Sequence, residues 1–339
     1  FMLLRFPSYS ADGVKKGISL CLESLVPSLY PFMIVTDIFI SSKAAEIRSV
    51  TVGRLCKFLF RLPASAMSVI LLSFIGGLPV GAKMSAELYE RGLISKEQCA
   101  RMLCFCINPG PAFVISAVGV SMLGSQSAGL IIYISLVLSS FIIGVASRFF
   151  VSPDENLFIA EKSIRNEIQT GNMIEKSVIR SSKAVLAVCS WVVAFSCLGE
   201  LISVFALGEG MKSFLLCVSE MTRGCFTAAG RYPVPIVAAV IGFSGICGHF
   251  QIMGEMKKCF LKYKTFLVCR IINSGLSAVI CGFLLKLFPV ASETFSVGVK
   301  PDSATTSGSV MLSVLMIVMA ILFVLGDDYR VTGKKQKNF

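Results

Sequence analysis

The chain has 339 residues, of which 55% are hydrophobic and 15% are charged, and its mean hydropathy is +0.78. A soluble domain carries about 25% charged residues, so this composition excludes a soluble globular protein and predicts an integral membrane protein. The formal net charge is +12. Basic loops that orient a membrane protein account for this charge. We expect no nucleic-acid partner, because the basic residues form no patch interleaved with aromatic residues.

Stretches without charged residues predict the membrane segments. They cover residues 62–82, 102–147, 232–254 and 303–326, and two further stretches, 17–40 and 184–207, contain acidic interruptions. Counting about 20 apolar residues per helix, we expect about eight to ten segments. Because the chain starts at Phe1 rather than Met, its first residues are compatible with the end of an earlier helix.

We predict an all-α polytopic membrane protein with two structural repeats of about four to five membrane segments each, with broken helices or re-entrant hairpins at the core. The first membrane repeat covers residues 1–151 and the second covers residues 184–326. Residues 152–183 form a polar, amphipathic linker between them, and residues 327–339 form a basic tail. We favour inverted repeats, because that symmetry is common in transporters. A parallel arrangement stays open.

Two interruptions of apolar sequence support the duplication. They begin at Gly76 and Gly245, and an asparagine follows each of them, Asn108 in the first half and Asn273 in the second. Lipid cannot satisfy the backbone groups freed by a break, so breaks at membrane depth persist where they line a cavity inside the protein. Corresponding breaks in two halves predict the substrate site of a transporter.

The first interruption contains the helix-breaking residues Gly76, Gly77, Pro79 and Gly81. We expect one helix to end near Phe74 and another to begin near Val80. The free amides of the new helix suit an anionic ligand, and Lys83 in its first turn adds a full charge. The alternative is a kink for close packing, with Lys83 extending to the membrane interface.

The second interruption contains Gly245, Gly248, His249 and Gln251. His249 and Gln251 can both form hydrogen bonds with a polar ligand, and a histidine can also accept a proton near neutral pH. A purely structural role for His249 is equally compatible with the sequence.

Asn108 and Asn273 are expected at two equivalent break points, with Gly110 after the first. An amide side chain offers donors and an acceptor to a carboxylate or a heterocycle. Arg270 lies on the same helical face as Asn273 and suits a carboxylate. The alternative for the asparagines is hydrogen bonding between helices.

Other chemistry has little support. The chain has 13 cysteines and one histidine without metal-ligand spacing, so we expect no metal, no cofactor and no disulfide framework. The absence of hydrolase, P-loop and zinc-protease motifs argues against an enzyme. Asp37 and Glu200 interrupt apolar stretches and mark either proton or cation paths or helix ends at the headgroups.

Four elements carry a resemblance to a known family: Pro31-Phe32, residues 77–83 (GLPVGAK), residues 108–113 (NPGPAF) and residues 248–251 (GHFQ). The chain resembles the YlbJ-type sporulation integral membrane proteins, within the nucleoside-recognition or Gate-domain group that is related to concentrative nucleoside carriers. Leu78 stands where an aromatic residue is common in this family, and Pro109 where a small polar residue is usual.

This resemblance implies a protein of the outer forespore membrane that moves dipicolinic acid during sporulation. Its partners would be the lipid bilayer and a small anionic substrate, and a homo-oligomer is compatible with the sequence. The coupling ion, H⁺ or Na⁺, stays open. The alternatives are a carrier for nucleosides or related small molecules, and a membrane scaffold of the spore envelope that transports nothing.

Overall fold

The computed structural model describes residues 2–41, 50–150, 173–205, 207–229, 231–259 and 261–290, and within these ranges it contains helices and no strand. The helices are α1 (Met2–Arg5), α2 (Pro7–Leu20), α3 (Val26–Ser41), α4 (Val50–Phe60), α5 (Ala64–Gly76), α6 (Leu78–Glu90), α7 (Lys96–Phe105), α8 (Gln126–Ser147), α9 (Met173–Ser203), α10 (Glu209–Ser219), α11 (Met221–Ala229), α12 (Val234–Phe243), α13 (Gly245–Lys258) and α14 (Tyr263–Leu287). Two π-helical segments, Cys21–Leu25 and Ala112–Met122, and a short 3₁₀ turn, Arg148–Phe150, complete the described elements. The predicted all-α class is confirmed.

Among the described residues, fewer helices are long enough to cross a membrane than the eight to ten segments expected for the whole chain. In the described ranges, four stretches have the necessary length and hydropathy: Gln126–Phe150, Ile174–Ser203, Val234–Gly254 and Tyr263–Leu287. A fifth candidate consists of Gly53–Phe60 and Ala64–Gly76, which meet at 80°. The 11-residue segment Ala112–Met122 has about half of the roughly 20 residues that a membrane-spanning helix needs. The segment expected at 303–326 lies outside the described residues.

The break at the first interruption is confirmed, and it is a single residue long. Gly77 separates α5 from α6 with φ 85° and ψ −178°, a conformation that favours glycine. Pro79 falls in the first turn of α6, where a missing amide costs no helical hydrogen bond. The new helix therefore starts slightly earlier than expected.

The second interruption is also confirmed, and it is centred on Ser244. This residue lies in the left-handed region with φ 71°, between α12 and α13. Gly245 follows with φ 59°, and a Cβ atom there would lie 2.7 Å from the amide nitrogen of Met221. The turn therefore packs directly against the start of α11.

The break expected at Asn273 was wrong. Asn108 does lie between α7 and the segment Ala112–Met122, but Asn273 lies inside the continuous helix α14. Two prolines flank Gly110 in the first half, whereas Ser274 and Gly275 follow Asn273. Proline removes an amide donor and clashes with the preceding turn, while serine and glycine leave the helical ladder intact.

The core is built across the two halves of the chain. α13 packs against α6, α12 and α14 pack against α8, and α2 and α3 pack against α9. The predicted repeats and their orientation stay a prediction. Residues 173–183 of the predicted linker form the beginning of α9, and residues 152–172 and the tail 327–339 lie outside the described residues.

One disulfide, Cys99–Cys259, connects α7 to the residue after α13. No disulfide framework was expected, and the sequence did not point to this single pair. The two cysteines are 160 residues apart in sequence, and sequence spacing carries no signal for so distant a pair.

Close packing of α6 against the end of α7 requires Gly81. A Cβ atom at this position would lie 1.8 Å from the carbonyl oxygen of Cys106. Since overpacking costs about 1–3 kcal/mol and sometimes more, we expect Gly81→Ala to lower the free energy of unfolding by about 3 kcal/mol. Thermal unfolding in detergent measures this as a lower midpoint.

The matched control for this prediction is Gly275→Ala, because no atom lies within 4 Å of a Cβ atom built there. Alanine inside a helix stabilises by about 0.5–1 kcal/mol relative to glycine, so this variant should unfold at the wild-type midpoint or above it. Equal destabilisation by the two substitutions would contradict the described packing.

Candidate functional site

The two interruptions line the same cavity. Its volume, including the open mouth, is about 710 Å³. Gly76 and Gly77 contribute from the first interruption, and Ser244 and Gly248 contribute from the second. The remaining wall is mainly apolar and includes Leu25, Leu29, Met33, Ile75, Phe113, Val188 and Val192.

Four helices begin at this cavity. Residues from the first turns of α6, Ala112–Met122, α11 and α13 line it: Leu78, Pro79, Ala112, Phe113, Met221, Thr222, Cys247 and Gly248. The start of a helix carries partial positive charge, because its first amides have no partner within the helix. The partial positive charge of these helix starts therefore lies close to the cavity.

The carbonyl ends of the first two interrupted elements are satisfied by side chains. At the end of α5, the Tyr133 hydroxyl donates to the carbonyl oxygen of Phe74 over 2.9 Å. At the end of α7, Nδ2 of the Asn108 side chain donates to the carbonyl oxygen of Phe105 over 3.0 Å. These hydrogen bonds satisfy carbonyl groups at the helix ends, for which the lipid interior offers no donor.

The carbonyl end of α12 is satisfied in the same way. His249 Nε2 donates to the carbonyl oxygen of Phe243 over 2.9 Å, and Asn273 Nδ2 donates to that of Gly242 over 3.1 Å. His249 is fully buried and packs against aromatic rings, including Phe266 at 5.0 Å between ring centroids. The structural interpretation of His249 is the one that these contacts support.

Arg270 joins the two interruptions. Its side chain is fully buried. It donates to the carbonyl oxygen of Ile107 over 2.5 Å, to that of Cys104 over 3.0 Å and to the hydroxyl of Ser244 over 3.5 Å. Within the described residues it forms no ion pair. Its charge therefore faces the negative end of α7 and the turn between α12 and α13.

The two asparagines are connected through α8. Ser140 Oγ lies 2.9 Å from Asn108 Oδ1 and 3.3 Å from Asn273 Oδ1, and Ser139 donates to Asn273 Oδ1 over 2.7 Å. All of these groups are buried. This is the interhelical hydrogen bonding that the sequence left open as an alternative.

The structure brings together six of the predicted site residues at the cavity: Gly76, Gly77, Pro79, Gly110, Gly248 and Gln251. It places the other seven outside the cavity lining: Gly81, Lys83, Asn108, Gly245, His249, Arg270 and Asn273. Lys83 is exposed on α6, and the buried polar members of this second group have protein partners. Their role as ligands of a substrate stays a prediction.

Sequence reasoning missed Glu220, which also lines the cavity. Its side chain is buried, and its two oxygen atoms accept hydrogen bonds from the backbone amides of Thr222, over 2.8 Å, and Arg223, over 2.6 Å. An acidic residue within an apolar stretch was the available signal. That criterion had identified Asp37 and Glu200 and applies equally here.

Asp37 and Glu200 lie in ion pairs away from the cavity. Arg180 donates to Asp37 from Nη2 over 2.7 Å. Glu200 pairs with Lys16 over 2.9 Å and with the Arg223 guanidinium. Both acids therefore connect α9 to neighbouring helices.

The helices and the cavity define the class of this protein: an all-α integral membrane protein whose interrupted helices meet at an internal cavity. The chain is similar to the sporulation integral membrane protein YlbJ of Bacillus subtilis strain 168, with 23% identity over 331 residues, covering 84% of this chain and 79% of the relative. No family model and no solved structure matches the chain. The expected similarity to YlbJ is thus confirmed, whereas membership of the Gate-domain group stays a prediction.

The contacts of Arg270 predict a mainly structural effect of its substitution. Arg270→Gln removes charged donors from the carbonyls of Cys104 and Ile107, and such bonds contribute about 1.5–3 kcal/mol each. We expect the free energy of unfolding to fall by about 2–4 kcal/mol, measured by thermal unfolding in detergent. The control Lys83→Gln changes an exposed residue and should stay within about 0.5 kcal/mol of wild type. If Arg270→Gln unfolds at the same midpoint as the wild type, Arg270 does not stabilise the contact between the two interruptions.

Proposed function

We propose that the protein is a membrane transporter that binds a small organic anion in the cavity between the two interruptions. The proposed substrate is dipicolinic acid, moved across the outer forespore membrane during sporulation. The convergence of four helix starts on one cavity carries this proposal. The similarity to a sporulation membrane protein supports the physiological setting.

Dipicolinate fits the chemistry of the wall. It is a flat pyridine ring with two carboxylates, so its charges suit helix-start amides and its ring suits the apolar residues. No lysine or arginine is among the described residues of the lining. The anion would therefore be held by backbone amides and helix dipoles rather than by a salt bridge. Such partial charges act strongly where water is excluded.

A nucleoside carrier is the second candidate. The neutral polar groups of Ser244, Thr222 and Gln251, together with Glu220, line the cavity. Hydroxyl and amide groups of this kind can bind the ribose and base of an uncharged nucleoside. This candidate corresponds to the nucleoside-recognition, or Gate-domain, group.

Blocking the cavity tests the transport proposal. The nearest atom to a Cβ atom built on Gly248 is the Ser244 Cβ atom at 3.6 Å, so a side chain can be added there without a backbone clash. Gly248→Phe would fill part of the cavity, at a cost to a bound ligand of about 1–3 kcal/mol. Since about 1.4 kcal/mol is tenfold in affinity, we expect uptake of labelled dipicolinate into proteoliposomes to fall about tenfold.

The matched control is Gly254→Phe on the same helix, where a Cβ atom meets no atom within 4 Å. It lies outside the cavity lining and should transport like wild type. Uptake of a nucleoside but not of dipicolinate by the wild type would favour the second candidate. Absence of uptake of either solute would favour the membrane scaffold.

A further inference from the structure

Glu220 is the one charged side chain among the described residues that line the cavity. It is 2% exposed. Both carboxylate oxygens accept hydrogen bonds from the first turn of α11, through the amides of Thr222 and Arg223. The chain's own carboxylate thus occupies one of the four positive helix ends around the cavity.

The carboxylate of Glu220 would repel an incoming anion. A second carboxylate in the cavity would approach an existing one in a region of low dielectric constant. Two carboxylates that share a site disfavour each other's ionised form, so one of them binds a proton. The hydrogen bonds from α11 favour the ionised form of whichever carboxylate accepts them.

The surrounding groups do not remove this conflict. The Arg223 guanidinium binds Glu200 and the carbonyl oxygen of Ser196, and Glu200 also binds Lys16. The other ionisable side chains that interact electrostatically with Glu220 are the thiols of Cys21, Cys225 and Cys247. Lys16 and Arg223 share the carboxylate of Glu200, and Arg223 also acts electrostatically on Glu220. These two cations and two carboxylates balance, so a further carboxylate in the cavity has no positive side chain left to pair with it.

We infer that Glu220 couples a proton to the movement of the substrate. This inference rests on the proposed function. A substrate carboxylate displaces Glu220 from the amides of Thr222 and Arg223, and Glu220, still buried, takes a proton from the water at the open mouth. When the substrate leaves on the other side, Glu220 releases that proton there and returns to the amides. Each substrate anion therefore crosses with about one proton.

In the described part of the chain, no three acidic, histidine or cysteine side chains are close enough to hold a metal ion. Cations such as Ca²⁺ need about six to eight oxygen ligands. A neutral Glu220 could in addition donate a hydrogen bond to the substrate carboxylate.

Calorimetric titration of dipicolinate into the purified protein tests this inference. Titrations in two buffers with different ionisation enthalpies give the number of protons taken up on binding. We expect about one proton for the wild type and none for Glu220→Gln. By linkage, the wild-type affinity should fall by up to about tenfold for each unit of rising pH, and the affinity of the variant should be independent of pH.

Asp37→Asn is the matched control, because it removes a carboxylate that pairs with Arg180 away from the cavity. It should take up about one proton, like the wild type. Equal proton uptake by the wild type and Glu220→Gln would overturn the inference while leaving the proposed function intact. Absence of dipicolinate binding to the wild type would reject the proposed function and this inference with it.

A second variant covers the case in which Glu220→Gln does not fold. Glu220→Asp retains a carboxylate one methylene shorter, which cannot make both amide bonds with the same geometry. Its proton uptake should reach half its maximum at a different pH from the wild type. An unchanged pH profile would show that the proton binds elsewhere and would overturn the inference.

Discussion

The structure depends on a requirement of the membrane interior: each backbone group freed by a helix break needs a partner within the protein. The chain breaks after α5, α7 and α12. Side chains from other elements bind the carbonyl groups at all three ends. Arg270 contacts two of these breaks, because it donates hydrogen bonds both to the end of α7 and to the turn at Ser244. Removing such a partner leaves a group whose burial costs several kcal/mol.

The same requirement gives the cavity its chemistry. The carbonyl ends are occupied by tyrosine, asparagine, histidine and arginine side chains, and residues from the first turns of the following helices line the open space. Positive helix ends and an apolar wall together favour a flat organic anion. Glu220 accepts hydrogen bonds from the first amides of α11. In the proposed mechanism, a substrate carboxylate replaces Glu220 there, so that these amides stay paired.

The sequence was sufficient to predict the membrane class, the helical fold and the breaks at Gly77 and near Gly245, because glycine, proline and apolar length act locally. It could not show which polar residues face the cavity. Asn273 and Arg270 carry the right chemistry, but the packing of α14 against α8 and α12 directs them to other helices. The sequence marks Glu220 as an acidic residue in an apolar stretch, but only the position of α11 beside the second break places it at the cavity. The pairing of Cys99 with Cys259 depends on the same kind of long-range packing.

The central claim is that one solute site lies between the two helix breaks. Crystallographic anomalous scattering from a bromine-substituted dipicolinate, soaked into crystals of the protein, measures the position of the solute directly. We expect a single bromine peak in the cavity, between Gly77 and Gly110 on one side and Gly248 on the other. A peak elsewhere on the protein, or an experimental structure in which the two breaks line separate cavities, would contradict it.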